Sequence, residues 1–470
     1  MKCGKSAGFD EITVEHVMHC HPVIYSLLAK LFNLMLLNSY VPTDFGMGIT
    51  IPIPKNDNTR GPQPIASFRG ISLSPIISKI FEHCILILFS DYLLTSDNQF
   101  GFKAKVGCTH AVYTLRKVVE HFISSNSTVN LCFLDMAKGF DKINHSVLLM
   151  KLMRRRIPVA LVKLLSYWYI ISYNCVRWGD CLSEPYKLLA GVRQGGVLSP
   201  VLFAVYVNDF LESFRKFGCC FMGLSVSALM YADDLVLLAP SVTELQVMVN
   251  HCSAELTQLD LKINFLKSAA LRIGSRFKQT CTTIKIVNED IEWAEEVKYL
   301  GVHVMSGPKF RCNFTKTKSK FYRSANSILS KIGNRDNAAA TVHLMNSVAL
   351  PTLTYAIEAL CLNKSEINSL NHPWDRTFNK IFKTFDQNTV RQCQLFSGSL
   401  TISQIYPLRV MSFLTGLLCS PNILLRQLYK VSESDEVIKI ANLYGCSSQI
   451  FIKNYRSIII NSFYNDPTVE

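Results

Sequence analysis

Apolar positions along this chain follow two different spacings. Two largely apolar runs, at 129–136 and 229–238, have the length and content of buried β-strands. Each of them contains aspartate. Apolar residues three and four positions apart predict helices at 24–35, 77–88 and 245–259, with the stripe of the last one in the core. The order of strand, helices, hairpin and helix is typical of an α+β core with a split β-α-β layout.

The aspartates inside the second run are adjacent. Asp233 and Asp234 lie between apolar residues on both sides. Because side chains alternate along a strand, neighbouring aspartates share a side only in a tight hairpin turn, a position that Asp tolerates. Taken alone, the pair fits a solvated turn and a site for a divalent cation equally well, since hard cations prefer oxygen ligands.

Asp135, at the end of the first run, favours the metal site. A strand that delivers a carboxylate at its end commonly builds a site at the edge of a sheet. Three carboxylates from two strands would hold two Mg²⁺ ions about 3.5–4 Å apart, as in nucleotidyl transfer. The segment 191–200 lies between the two runs, and its paired glycines allow close approach to a ligand before a Ser-Pro step begins a helix. A bland glycine-rich connection is the weaker interpretation of that segment.

These segments resemble the reverse transcriptase of non-LTR (LINE-type) retrotransposons. Other segments similar to that family follow in the same order, at 4–10, 52–55, 68–73, 99–103, 261–268 and 298–302. The chain departs from the usual residues at Phe9, Gly70 and Lys103. The resemblance implies a right-hand polymerase fold with fingers at 1–125, a palm at 126–305, a helical thumb at 306–400 and a C-terminal helical extension of unknown role at 401–470. The reverse transcriptase domain itself would span about 36–305.

The resemblance also implies an activity and its metal ligands. The chain would be an RNA-directed DNA polymerase, a nucleotidyltransferase that extends a primer with dNTPs on an RNA template. Two Mg²⁺ ions, with Mn²⁺ as an alternative, would be bound mainly by Asp135 and Asp233, with Asp234 in a weaker role. The backbone carbonyl of Met136 would complete one metal shell.

Five further residues would contact the incoming nucleotide by resemblance. Phe140 would exclude a sugar 2′-hydroxyl, and Gln194 would contact the nucleotide. Arg69 and Lys55 would hold the triphosphate, because the guanidinium fork suits paired phosphate oxygens. Lys267 would help pyrophosphate to leave. The alternative for Phe140 is a core side chain, and each of the other four could be an ordinary surface residue.

Net charge indicates the class of partner. The formal charge of +14 predicts an anionic partner, either nucleic acid or an anionic membrane surface. No apolar run approaches the roughly 18 residues of a membrane span, and the N-terminus lacks a signal-peptide core, so we expect no membrane. The oligomeric state is not indicated.

A basic segment at 309–335 contains no acidic residue. Lys316, Lys320 and Arg323 would share one helical face there, where a polymerase thumb would contact the phosphates of template and primer duplex. A solvated face of a packed helix is the alternative. The run of arginines at 154–156 is a weaker candidate for the same role.

Cysteine usage suggests a reduced, intracellular compartment, because sixteen cysteines are scattered without Cys-x-x-Cys spacing. Nucleus and cytoplasm are not distinguished. His16, His19, Cys20 and His21 are interpreted as residues at a helix end, and no structural zinc is expected. The clearest loop is 56–64.

Two other functions compete with reverse transcription. An RNA-dependent RNA polymerase shares the palm, but Phe140 and Ala232 argue against it, since that class has a small or polar residue near position 140 and usually Gly before the Asp pair. A catalytically silent remnant that only binds nucleic acid is the third hypothesis. The chain has no room for the endonuclease of such elements, so we expect an N-terminally truncated copy.

Overall fold

The structure is a computed structural model that describes residues 1–55, 64–136, 139–287, 289–332 and 337–464. Nearly all of the loop predicted at 56–64, and Arg335 of the basic segment, lie outside these ranges. The helices are α1 (Val14–Met18), α2 (Val23–Asn38), α3 (Thr43–Gly46), α4 (Ile76–Leu88), α5 (Cys108–Ser124), α6 (His145–Arg154), α7 (Val159–Ile170), α8 (Ser199–Ser213), α9 (Val242–Gln258), α10 (Thr315–Ile332), α11 (Ala338–Leu344), α12 (Leu350–Leu353), α13 (Lys364–Phe382), α14 (Gln387–Phe396), α15 (Ile402–Leu418), α16 (Ile423–Leu443) and α17 (Ser448–Tyr464). The strands are β1 (Met47–Pro54), β2 (Phe68–Leu73), β3 (Thr128–Asp135), β4 (Tyr173–Trp178), β5 (Cys181–Leu182), β6 (Tyr186–Lys187), β7 (Cys220–Phe221), β8 (Leu224–Ser225), β9 (Ala228–Tyr231), β10 (Asp234–Ala239), β11 (Ala269–Gly274), β12 (Ile284–Ile286), β13 (Glu289–Ile291), β14 (Glu296–Tyr299), β15 (Val302–Met305) and β16 (Arg311–Cys312).

A four-stranded antiparallel sheet in the order β11-β3-β10-β9 carries both aspartate-containing runs. All of β3 except Asp135, and all of β10 except Asp234, is buried, as the largely apolar runs predict. Successive residues of β3 and β10 point into two different cores. One face of the sheet packs in a core with α8 and α9, and the other face packs in a core with α5. A charged residue is tolerated only where each strand ends.

Helix α9 has the predicted buried stripe, formed by Leu245, Met248, Val249, Cys252 and Leu256. Ser241 caps the helix by accepting the N–H of Glu244 at 3.1 Å. The Glu244 carboxylate accepts the Gly218 N–H at 2.7 Å. The cap therefore also fixes the chain that leads into the β7–β8 hairpin.

Helix α2 forms where predicted, but its apolar stripe is not core. Only Phe32 and Met35 are buried in this helix, while Leu27 and Leu34 are more than half exposed. Helical spacing shows which residues share a face, and only the packing of other elements decides whether that face is covered.

A second sheet has the order β2-β1-β4-β5, with β6 paired to β4, so it joins strands of the predicted fingers range to strands of the predicted palm range. Strands β1 and β2 are antiparallel, so that Ile53 lies opposite Arg69. Helix α4, predicted at 77–88, follows β2 and begins after Pro75, with Phe81 and Ile85 buried. Leu88, assigned to the same stripe from the sequence, is 63% exposed because it lies at the end of the helix.

Helices α10 to α14 have a core of their own, built on Phe321, Trp374 and Phe378. Helices α15 to α17 pack instead against the palm core beside α5. Arg116 of α5, which is 1% exposed, donates to the Glu436 carboxylate of α16 at 2.8 Å. The C-terminal helices are thus joined to the palm by a buried ion pair.

The remaining expectations concern cysteine, histidine and membrane segments. All sixteen cysteines lie within the described residues and are free thiols. His16 accepts the Thr13 N–H at 3.2 Å and His21 accepts the Val23 N–H at 3.3 Å, so both act at helix ends as predicted. Across the described ranges, every helix is too short or too polar to cross a bilayer.

Candidate active site

The β9–β10 hairpin presents the adjacent aspartates. Its turn consists of Ala232 and Asp233, whereas Asp234 is already the first residue of β10. Placing both aspartates in the turn was therefore wrong by one residue. Ala232 has a left-handed φ of 57°, and a Cβ at Gly101 would lie 2.5 Å from the Ala232 nitrogen. The close approach of the Gly101 segment helps to fix this turn.

Asp135 and Asp234 are direct cross-strand partners in the sheet. Side chains of such partners project from the same face, so these two carboxylates stand next to each other. The Met136 N–H donates to the Asp233 carbonyl at 3.4 Å, which brings Asp233 to the same end of β3. The structure therefore brings the three predicted carboxylates together.

Like charges and burial act on this cluster. Burial, followed by the charges of Asp233 and Asp135, raises the pKa of Asp234 to about 6. The pKa of Asp233 is also raised, first by burial and then by Asp135, while Arg69 and Lys267 act in the opposite direction. Both carboxyl groups would be stabilised in their charged form by added positive charge.

Three cations surround the carboxylates. Lys267 lies 3.6 Å from the Asp135 carboxylate, and Arg69 of β2 is near enough for its charge to lower the pKa of Asp233. Lys298 of β14, which the sequence analysis assigned no role, lowers the pKa of Asp234 against the larger effects that raise it. Asn264 donates to the Asp135 carboxylate at 3.3 Å and orients it.

The donor set suits a hard divalent cation. Carboxylate oxygens are the ligands that Mg²⁺ prefers, and a cation would offset the mutual repulsion of Asp135, Asp233 and Asp234. In the described part of the chain, no three His, Cys, Asp or Glu side chains are grouped as tightly as the ligands of one bound metal ion. The cluster fits a metal in its chemistry and would need side-chain adjustment to enclose one.

Phe140 lies in a short 3-10 turn after β3 and is held by two other rings. It stacks on Phe203 of α8 with centroids 4.6 Å apart, and Phe102 meets it edge-on at 5.7 Å. The ring is packed against the core and only partly buried. This placement is compatible with both predicted roles, because the ring is held by its neighbours and still partly exposed.

The segment that carries Gln194 is fixed from several sides. The Gln194 side chain donates to the Asp141 carboxylate at 2.7 Å, and the Gln194 backbone carbonyl accepts the Ser72 N–H at 2.6 Å. Gly195 has a φ of +125°, and a Cβ there would lie 2.4 Å from the Ser72 carbonyl. Only glycine fits this conformation and this approach. The fingers strand β2 thereby sets the position of Gln194.

A buried carboxylate supports the helix that follows. Glu82 of α4 accepts the N–H groups of Val197 and Leu198, each at 2.6 Å, at the start of α8. Its burial raises its pKa, while those two bonds and Arg193 act to lower it. The sequence placed Glu82 in a helix without showing its partner, because that partner is more than a hundred residues away.

The last predicted contacts lie at exposed positions. Lys55 is exposed just after β1, and its N–H donates to the Ser67 carbonyl at 2.8 Å. Lys316, Lys320 and Arg323 are exposed along one face of α10, which we name the basic stripe. Lys316 also forms an ion pair with Glu296 at 2.9 Å. The same helix buries Phe321 and Ala325 on another face.

The fold and this cluster of carboxylates define the palm of a right-hand nucleic-acid polymerase. The chain belongs to the reverse transcriptase family, since residues 53–304 match the family described as reverse transcriptase (RNA-dependent DNA polymerase).

Similar proteins come from non-LTR elements, which confirms that resemblance. The probable RNA-directed DNA polymerase from transposon X-element of Drosophila melanogaster is 31% identical over 58% of this chain and 30% of its own. The Pol polyprotein from type-2 retrotransposable element R2DM of the same species is 25% identical over 66% and 29%. This chain thus spans about a third of the length of such relatives. Telomerase from Candida tropicalis is similar with a TM-score of 0.43 and 11% identity, covering 94% of this chain and 74% of that one.

Proposed function

We propose that this chain is an RNA-directed DNA polymerase that extends a primer 3′-hydroxyl with dNTPs on an RNA template. The convergence of Asp135, Asp233 and Asp234 at one end of the palm sheet carries this proposal. Family membership supports the same enzyme class, because the matched residues include all three aspartates. A silent chain would have no need to keep three partly buried carboxylates close together, where they repel one another.

Asp135 and Asp233 would be the main ligands of Mg²⁺, with Asp234 beside them and the Met136 carbonyl as a further oxygen. Held there, two Mg²⁺ or Mn²⁺ ions would supply positive charge that lowers the pKa of the attacking hydroxyl and neutralises the triphosphate. Asn264 keeps the Asp135 carboxylate oriented through its 3.3 Å hydrogen bond.

The surrounding side chains would bind and select the nucleotide. Arg69, Lys55 and Lys267 supply positive charge for the triphosphate, and Lys267 can donate a proton as pyrophosphate leaves. Phe140 would block a 2′-hydroxyl sterically, because its stacking on Phe203 prevents the ring from moving aside. Gln194, held by Asp141 on one side, would contact the nucleotide on the other.

Primer extension on an RNA template tests the proposal. We expect extension with dNTPs and Mg²⁺ by the wild type, and none by Asp135→Asn or Asp233→Asn, because each removes a metal ligand. Both variants should retain nucleic-acid binding, which depends on separate basic surfaces. Asp180→Asn is the matched control, since it makes the same chemical change at an exposed turn between β4 and β5.

Two outcomes would contradict the assignment in different ways. Extension by Asp135→Asn or Asp233→Asn at the wild-type rate would exclude these residues as metal ligands. Binding of template and primer without any extension by the wild type would identify a silent remnant. Ready incorporation of ribonucleotides by the wild type would favour an RNA-dependent RNA polymerase.

A further inference from the structure

A groove of about 980 Å³ lies between α10 and α13, away from the carboxylates. Its volume is at the upper end of the range of about 300–1,000 Å³ that is typical of ligand clefts. The α13 wall extends from Asn368 to Lys383, which at 1.5 Å per residue is about 22 Å. An elongated groove of this length suits a polymer better than a single small molecule.

The α13 wall is cationic. His372, Arg376 and Lys380 follow one another at four-residue spacing and line the groove, with Lys383 at the end of the helix. Residues four apart are separated by about 6 Å along a helix, comparable to the distance between successive phosphates of an extended strand. Cations in the last turn also interact favourably with the helix dipole, but that effect falls off within one turn and does not account for His372 and Arg376.

The groove has almost no negative charge to offset these cations. Among its lining residues within the described ranges, Asp375 is the one carboxylate. It accepts from the Gln394 side chain at 2.9 Å and lies 3.6 Å from Arg391. An anionic ligand would therefore meet a wall of positive charge without strong repulsion.

Aromatic and amide side chains complete the groove. Phe385, which is 89% exposed, and Tyr322 of α10 both line the groove. Exposed rings beside cations are typical of grooves for single-stranded nucleic acid, since every base can stack on a ring. The Asn379 side-chain oxygen is buried without a hydrogen-bond donor among the described residues. A ribose 2′-hydroxyl is a donor that RNA has and DNA lacks.

We propose that this groove between α10 and α13 binds single-stranded RNA, with phosphates along α13 and bases against Phe385 and Tyr322. The choice of RNA rests on the proposed function, in which the uncopied template is single-stranded. The groove is separate from the basic stripe, because Tyr322, Asn326 and Leu329 project on average about 120° around α10 from Lys316, Lys320 and Arg323. The thumb thus has two nucleic-acid surfaces with different ligands.

The test measures fluorescence anisotropy of two labelled probes across a salt series. One probe is an unstructured oligo(U) RNA of about 12 nucleotides, within the site sizes of single-strand grooves. The other is a blunt RNA–DNA hybrid duplex. The groove variant Arg376→Gln/Phe385→Ala should bind oligo(U) at least about tenfold more weakly and bind the duplex normally, with a log–log salt slope lower by about 0.7 for the lost phosphate contact.

The matched control replaces the three cations of the basic stripe by Gln, and it should show the opposite pattern. Equal loss on both probes, or no loss on oligo(U), would overturn the proposal. Phe385→Ala alone removes an exposed ring and should weaken oligo(U) binding at least about fivefold while leaving the melting temperature unchanged. Asn379→Ala should weaken the binding of RNA more than the binding of DNA of the same sequence. An equal effect on both affinities would refute the selection of RNA.

Failure of the inference can be distinguished from failure of the proposed function. The binding assay requires no catalysis, and Asp233→Asn should bind oligo(U) as the wild type does. If the wild type extends primers and the groove variant binds oligo(U) normally, only the groove assignment is wrong. If no extension occurs while the groove variant loses oligo(U) selectively, the groove assignment holds and the polymerase activity is refuted.

Discussion

Replacing Asp234 by Asn should stabilise the metal-free protein at neutral and alkaline pH. Its pKa is raised from 3.8 to about 6 by burial and by the charges of Asp233 and Asp135. Each pKa unit corresponds to about 1.4 kcal/mol, so the shift corresponds to at most about 3 kcal/mol. Because the carboxyl is only partly buried, screening by water reduces this to about 1–2 kcal/mol.

The sign follows from the protonation states. Below the unfolded pKa of 3.8, both folded and unfolded chains carry the proton, and the raised pKa costs nothing. Between 3.8 and about 6 the folded state binds more protons, so stability falls as pH rises. Above about pH 6 the full cost is present. Asp234→Asn removes this cost and should differ little from the wild type at about pH 4.

Urea denaturation in EDTA at about pH 4 and about pH 8 measures the effect. We expect the free energy of unfolding of Asp234→Asn to exceed that of the wild type by about 1–2 kcal/mol at the higher pH only. Added Mg²⁺ should stabilise the wild type more than the variant, because a bound cation offsets the same repulsion. A variant that is less stable at both pH values would refute the argument, since Asp234 would then make a net favourable contact.

Other predictions concern selection, binding and stability. Phe140→Val should admit ribonucleotides while largely retaining dNTP use, measured by single-nucleotide extension, and an unchanged preference would make this ring core packing only. Replacing the basic stripe by Gln should lower the log–log salt slope of duplex binding by about 0.9 per lost contact, whereas an unchanged slope would indicate a solvated face. Glu436→Gln should cost about 1–3 kcal/mol in urea denaturation, because buried Arg116 would keep only Glu120, 3.2 Å away, as its anion, and an unchanged free energy of unfolding would show that the pair is solvated. Gly195→Ala should reduce extension at least about tenfold by displacing Gln194 from β2, while normal extension would show that the segment can shift.

The sequence predicted the aspartates at the strand ends because an apolar run tolerates charge only where burial ends. It did not predict that the turn consists of Ala232 and Asp233, because that register depends on the Gly101 segment, more than a hundred residues away. The exposure of much of the apolar stripe of α2 was not predicted for a related reason. Local spacing defines the face, and distant elements determine what covers it.

The sequence also did not predict the residues that support the site through partners distant in the chain. Lys298 was part of a recognised segment, but its effect on Asp234 arises from the packing of β14 beside β11. The helical pattern was equally compatible with Glu82 as an exposed residue. Its position between Phe81 and Ile85, which are buried, was the signal of a buried partner. Such partners are fixed by tertiary structure, which periodicity does not report.

The ion pair between Arg116 and Glu436 has a consequence for how the chain folds. Its two residues are separated by 320 positions in the sequence. A similar separation is bridged by the Asn422 side chain, which donates to the Asp97 carbonyl at 2.7 Å. Contacts this distant in sequence slow folding, because a long loop must close before they form. During synthesis the palm core beside α5 would stay incomplete until α16 has left the ribosome. Ribosome-bound chains that end before α16 should therefore expose this core to proteases and chaperones.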